Sequence, residues 1–181
     1  MASKIDQLLS AYEAVVTEPW TSYLSGQERV WFLVYDPSEQ RKIDLRFGDF
    51  EMVTKKAGKR WESISLKRCF PEWMANHDYK EEYFEDPDAL VDQLEGDFKE
   101  YAINYLAAEL EKLGTNDNTL IAIRDISALF GFNRVSDILN GCSRAFKGRM
   151  LIFFPGEYDK NQYRLLDARD GWSYLARPIT I

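Results

Sequence analysis

Val30-Trp31-Phe32-Leu33-Val34-Tyr35, closed by Asp36-Pro37, decides the fold class. Six apolar residues run without alternation, so both faces of the segment must be covered. Strands buried on both faces belong to mainly parallel sheets with helices above and below. Proline has no N–H for the ladder, so the strand stops there. Two more runs read the same way: Thr119 to Ile126 (TLIAIRDI) and Met150 to Phe154. A fourth strand, weaker and alternating, is expected from Trp61 to Leu66.

Between these strands the helical period takes over. Ile5, Leu8, Leu9, Tyr12, Val15 and Val16 mark a first helix, which Ser3 and Asp6 cap and Pro19 closes. Ser38 to Lys56 reads as a second helix, weakened by Gly48, and Cys69 to Met74 as a short aromatic one. Asp78 to Asp88 is polar and acidic and reads as a connecting loop. The strongest helical pattern runs from Pro87 to Leu113, with Leu90, Leu94, Phe98, Tyr101 and Tyr105 on one stripe and Gly114 as the stop. Val135 to Phe146 fits one more helix, ended by Gly148. After Pro155-Gly156 the pattern shortens around Asp159-Lys160-Asn161 and Asp170-Gly171, as in an antiparallel hairpin. The expectation is one α/β domain over residues 1–181: a three-layer sandwich around a mainly parallel sheet, with a C-terminal antiparallel hairpin.

Composition narrows the function classes. The chain has 181 residues, 45% of them hydrophobic and 14% aromatic, with a net charge of −7. No apolar run approaches the roughly 20 residues of a membrane span. The first residues, with acids and no continuous apolar core, do not read as a signal peptide. Cys69 and Cys142 are far apart and read as reduced thiols, so a cytoplasmic location is expected. With His77 they make only three soft or imidazole ligands, too few for a structural zinc site and without its spacing. A phosphate cradle should follow the first strand, yet residues 36–47 hold no glycine, and neither GxxxxGK[ST] nor GxGxxG occurs. The GxSxG and HExxH patterns are also missing, and a single histidine removes most His-based triads. No cofactor is expected.

Three surfaces remain. Asp36 and Asp125 follow the first and third strands, where open α/β sheets collect ligands. If those strands are neighbours, the two carboxylates could hold a magnesium ion or divide acid and base roles, as in a metal-dependent enzyme or a nucleotide-binding α/β domain. Otherwise each caps a turn or pairs with an arginine such as Arg124 or Arg134. Nine bases against four acids lie between Arg41 and Arg68, and Lys55, Lys56, Lys59 and Arg60 form a candidate phosphate-facing patch. An acidic chain argues against tight autonomous DNA binding. From Asp78 to Asp117 the balance reverses to thirteen acids against three bases. The third surface follows the last buried strand. Pro155-Gly156 projects Glu157, Tyr158 and Asp159 outward, and Arg169 and Trp172 follow in the next segment. Mixed charge and aromatic rings on such an edge suit recognition of a protein partner.

Several phrases add a resemblance. RVWFLVYDP (29–37), RFGDFEMVTKKAGKRWESISL (46–66), DISALFGFNRVSDIL (125–139) and MLIFFPGEYDKNQYRLLDARDGWSYLARPI (150–179) resemble the BrxB family of BREX (bacteriophage exclusion) systems. The likeness runs in order over most of the chain, and FPGEYD and LLDARDGW are its most specific parts. It implies membership of a multi-gene antiviral defence system. The other components there include a PglZ-type phosphatase-like protein, an AAA-type ATPase and a host-marking DNA methyltransferase. The family supplies no catalytic residues. The resulting expectation is a non-catalytic adaptor that binds other BREX proteins, the PglZ-type protein above all.

Overall fold

In the computed structural model, residues 2–165, the backbone of 172–173, and residues 175–181 are described. The expected parallel sheet is there. β1 (Val30–Tyr35), β2 (Arg60–Ser65), β3 (Thr119–Arg124), β4 (Arg149–Pro155) and an edge strand at Arg177–Ile179 form one sheet in the order β2-β3-β4-β1-edge. All four pairings are parallel. β1 is therefore internal, which explains its unbroken apolar run.

Period-two alternation divides the core between the two faces. Phe32 and Val34 of β1, Ile121 and Ile123 of β3, and Ile152 and Phe154 of β4 face one way. Trp31 and Leu33, Leu120 and Ala122, and Leu151 and Phe153 face the other. The second face is covered by α1 (Lys4–Val16), α2 (Gln40–Leu45) and α3 (Phe47–Lys56). The first is covered by α4 (Cys69–Ala75), α7 (Lys99–Lys112) and α8 (Val135–Gly141). Between α4 and α7 lie α5 (Lys80–Glu85) and a single turn, α6 (Val91–Gln93). The division follows from handedness. From β1 the chain crosses to the far edge of the sheet, and from β2 onward it steps back in the opposite direction. Right-handed crossovers then require the two sets of connections to lie on opposite faces.

The cap on α1 is as read: the Ser3 hydroxyl accepts from the Asp6 N–H, and the Asp6 carboxylate accepts from the Ser3 N–H at 3.0 Å. Four other expectations need correction. The second helix breaks at Arg46, not at Gly48; there the guanidinium is held by Asp6 of α1 and, at 2.7 Å, by Asp49. The break turns Phe47 onto Trp61 and Phe153. The acidic stretch after Asp78 is not a plain loop, because it contains α5.

The long helix from Pro87 is interrupted. A 3-10 turn (Pro87–Leu90) and α6 lead into a wide π turn at Leu94–Phe98 before α7 begins. The buried series Leu94, Phe98, Ala102, Leu106, Leu110 is spaced by four throughout, which drifts around an α-helix of 3.6 residues per turn. A wide turn takes up part of that drift. Tyr101 and Tyr105 are left on the flank, only partly buried. Finally, α8 stops at Gly141, well before Phe146.

Beyond β4 the expected hairpin forms. β5 (Glu157–Asp159) and β6 (Gln162–Arg164) pair antiparallel, and β7 (Trp172–Ser173) adds to β6. Lys160 and Asn161 have φ of 47° and 64°, the left-handed pair that a two-residue hairpin turn requires. The strand at Arg177–Ile179, hereafter β8, was not foreseen; Pro178 is tolerated there because the strand is an edge.

Candidate functional site

Ligands in open α/β sheets settle outside the carboxyl ends of strands, where neighbouring connections leave toward opposite faces. Here that point lies between β1 and β4, since β1 leads to α2 and β4 leads to the hairpin on the other face. A cleft of about 640 Å³ opens beside it. Its floor is apolar, built from Ile5 and Leu8 of α1 and Ile43 of α2, all buried. Its rim is charged: Lys4, Asp36, Glu39, Glu157 and Asp159.

The rim is fixed by local chemistry. Asp36 accepts the Ser38 hydroxyl at 2.7 Å and the Ser38 N–H at 2.8 Å, which holds its carboxyl below the usual range. Glu39 pairs with Lys42 at 3.0 Å. Gly156 donates its N–H to the Tyr35 carbonyl at 2.8 Å and so ties the start of the hairpin to the end of β1. Tyr163 is buried and donates its hydroxyl to the Ala176 carbonyl at 2.5 Å. Burial raises that phenol's pKa. Tyr158 stacks obliquely on Tyr163 at 4.9 Å and donates to the Asn161 side chain at 3.0 Å. Glu157 and Asp159 are exposed, and neither takes part in an ion pair among the described residues.

Of the five residues expected at a partner contact, Glu157, Tyr158 and Asp159 therefore meet at one rim. Trp172 joins the same small sheet through its backbone pairing with Tyr163. Arg169 lies outside the described residues.

The shared-cation expectation was conditional on neighbouring strands, and the sheet order does not meet that condition. β4 lies between β1 and β3, so Asp36 and Asp125 stand two strand spacings apart, roughly 9.5 Å. Each carboxylate has its own task instead. Asp36 holds Ser38, and Asp125 accepts the Ser65 hydroxyl at 2.5 Å while its left-handed backbone, φ 59°, turns the chain out of β3. Arg124 pairs with Asp44 at 3.2 Å and lies 4.2 Å over the Phe47 ring.

The basic patch is engaged within the chain. Lys55 pairs with Glu51 at 2.6 Å and Lys56 with Glu13 at 4.0 Å. Lys59 bonds Asn118 at 3.0 Å and sits 4.3 Å over Trp20. Arg60 pairs with Glu62 at 2.6 Å and donates to the Leu113 and Gly114 carbonyls at the end of α7. These bases sit at the end of α3 and the start of β2, so they flank the amino edge of the sheet, away from the cleft. The isolated protein should therefore bind duplex DNA weakly at low salt and lose that binding steeply as salt rises, without sequence preference. A salt titration of fluorescence anisotropy with two unrelated duplexes checks this; tight, salt-resistant binding or preference for one duplex would contradict it.

Both thiols are buried, which pushes Cys69 up to about 12 and Cys142 up to about 11, so neither is a thiolate at neutral pH. His77 stacks edge-on against Trp73 at 4.9 Å. Among the described residues no group of three or more His, Cys, Asp or Glu side chains is placed to hold a metal ion. No helix among them is long and apolar enough to cross a membrane. Sequence reasoning found the hairpin but not the cleft, because the floor joins α1, α2 and strand ends whose adjacency depends on topology. The Asp36-Pro37-Ser38 cap was its one local signal.

Comparison with protein-family models, curated proteins and solved structures finds no match to the chain.

Proposed function

We propose that this protein is a non-catalytic adaptor of a BREX-type antiviral defence system, and that it binds another subunit through the rim formed by β5. The PglZ-type protein is the preferred partner, on the strength of the resemblance in FPGEYD and the phrases around it. The observation that carries the proposal is the pairing of an anchored base with an exposed, charged edge. Gly156 and Tyr163 hold the hairpin by backbone and buried hydrogen bonds, while Glu157 and Asp159 are exposed and make no ion pair among the described residues. A rigid element presenting charge and a half-buried tyrosine loses little entropy on binding.

The test is capture of partner from cells carrying the whole defence locus, with the tagged chain as bait. Glu157→Arg and Tyr158→Ala should each abolish capture of the PglZ-type protein. Glu157→Arg should leave thermal stability within about 0.5 kcal/mol, as exposed substitutions usually do, and Tyr158→Ala should cost about 1 kcal/mol because its ring packs on Tyr163. Normal capture by both variants would remove this rim as the contact.

A further inference from the structure

We infer that α5 and the turn after it form a second docking surface, for a lysine- and arginine-rich face of a protein partner. The segment from Tyr79 to Val91 turns large apolar groups both inward and outward. Tyr83 and Leu90 pack inward against the core, as expected of a surface element. Yet Tyr79, Phe84 and Val91 point to solvent and are 58%, 66% and 59% exposed. Such a density of exposed large apolar groups within residues 79–91 is of the kind that marks interaction sites.

Charge decides the occupant. From Asp78 to Asp92 there are seven carboxylates and one base, Lys80. The ion pairs of the described residues use none of those seven. Lys80 gives its ammonium to the Ala75 carbonyl at 3.1 Å. The contrast with Lys55, Lys56 and Arg60, each paired within the chain, is direct. Solvation alone accounts for the carboxylates but not for the rings among them. A purely apolar partner would account for the rings but would have to desolvate the carboxylates. A basic face with apolar residues between its cations satisfies both. Nucleic acid and anionic lipid carry the wrong sign. The inference is independent of the β5 rim, which belongs to a different part of the chain.

The experiment uses the full chain and a defined probe: a fluorescent peptide of about 15 residues with Leu and Lys at helical spacing, near physiological salt. Oligolysine of equal charge is the control. Saturable binding of the amphipathic probe is expected, with oligolysine at least about tenfold weaker. The triple variant Glu81→Lys, Glu82→Lys, Glu85→Lys and the single variant Phe84→Ser should each weaken the probe by about tenfold or more, with unchanged melting curves. Glu157→Arg should bind it as the parent does, which separates this surface from the β5 rim. Absence of saturable binding, equal binding of oligolysine, or full binding by both α5 variants would overturn the inference. So would self-association of the chain that Phe84→Ser abolishes, since the occupant would then be a second copy.

Discussion

Gly156→Ala should lower the melting temperature by about 6–12 °C and weaken partner capture with it. A β-carbon at this position would stand 2.1 Å from the Arg164 carbonyl oxygen and 2.6 Å from the Phe154 ring. The oxygen belongs to the backbone of β6 and the ring is fully buried in β4, so neither can swing aside cheaply. Overpacking of this kind costs about 3 kcal/mol, at roughly 2–4 °C per kcal/mol for a domain of this size. The cost falls where Gly156 bonds the Tyr35 carbonyl, so relief would come from lifting the hairpin off β1 and disturbing the rim. Gly48→Ala is the control. It lies inside α3 with nothing within 4 Å of its added carbon, and should be neutral or stabilising by up to about 1 kcal/mol. Thermal melts followed by circular dichroism read both variants. A neutral Gly156→Ala would mean that the hairpin is not seated as described.

Phe98→Ala should be at least as damaging. The ring is fully buried, 5.2 Å from both Phe70 and Trp73 and 5.8 Å from Phe132. Removing it leaves a cavity among other rings, and such truncations cost about 3–5 kcal/mol. The corresponding loss is about 6–20 °C. Tyr101→Ala, three residues on, should cost clearly less, because the π turn leaves Tyr101 on the flank and seats Ala102 inside. Equal losses for the two would favour an unbroken helix with Phe98 and Tyr101 on one stripe.

That pair of residues shows where the sequence was informative and where it was not. Apolar runs without alternation identified β1, β3 and β4, because burial on both faces leaves a local signature. Ser3 and Asp6 identified the start of α1 for the same reason: a cap is completed within four residues. The π turn was missed because the series Leu94, Phe98, Ala102, Leu106, Leu110 competes in sequence with Tyr101 and Tyr105 for the same stripe, and only the packed structure shows which is buried. β8 was hidden by Pro178 and by its three-residue length; only its place beside β1 makes it a strand. Asp36 and Asp125 were each correctly placed at strand ends, but their separation depends on strand order, which no local pattern encodes. The partners of the basic patch were not legible, because charge counts do not show them. Its acids come from α1, α3 and β2, and its neutral partners from the end of α7 and the turn before β3.

If the chain binds a subunit of a BREX-type system, as proposed, direct complex formation with the PglZ-type protein is the measurement that shows it. The purified protein is mixed with the purified PglZ-type protein of the same locus and resolved by size-exclusion chromatography with light scattering. The account predicts a stable complex that co-elutes at the summed mass, forms without any other subunit, and is lost with Glu157→Arg. Separate elution of the two proteins, at concentrations where a micromolar complex would persist, would contradict it.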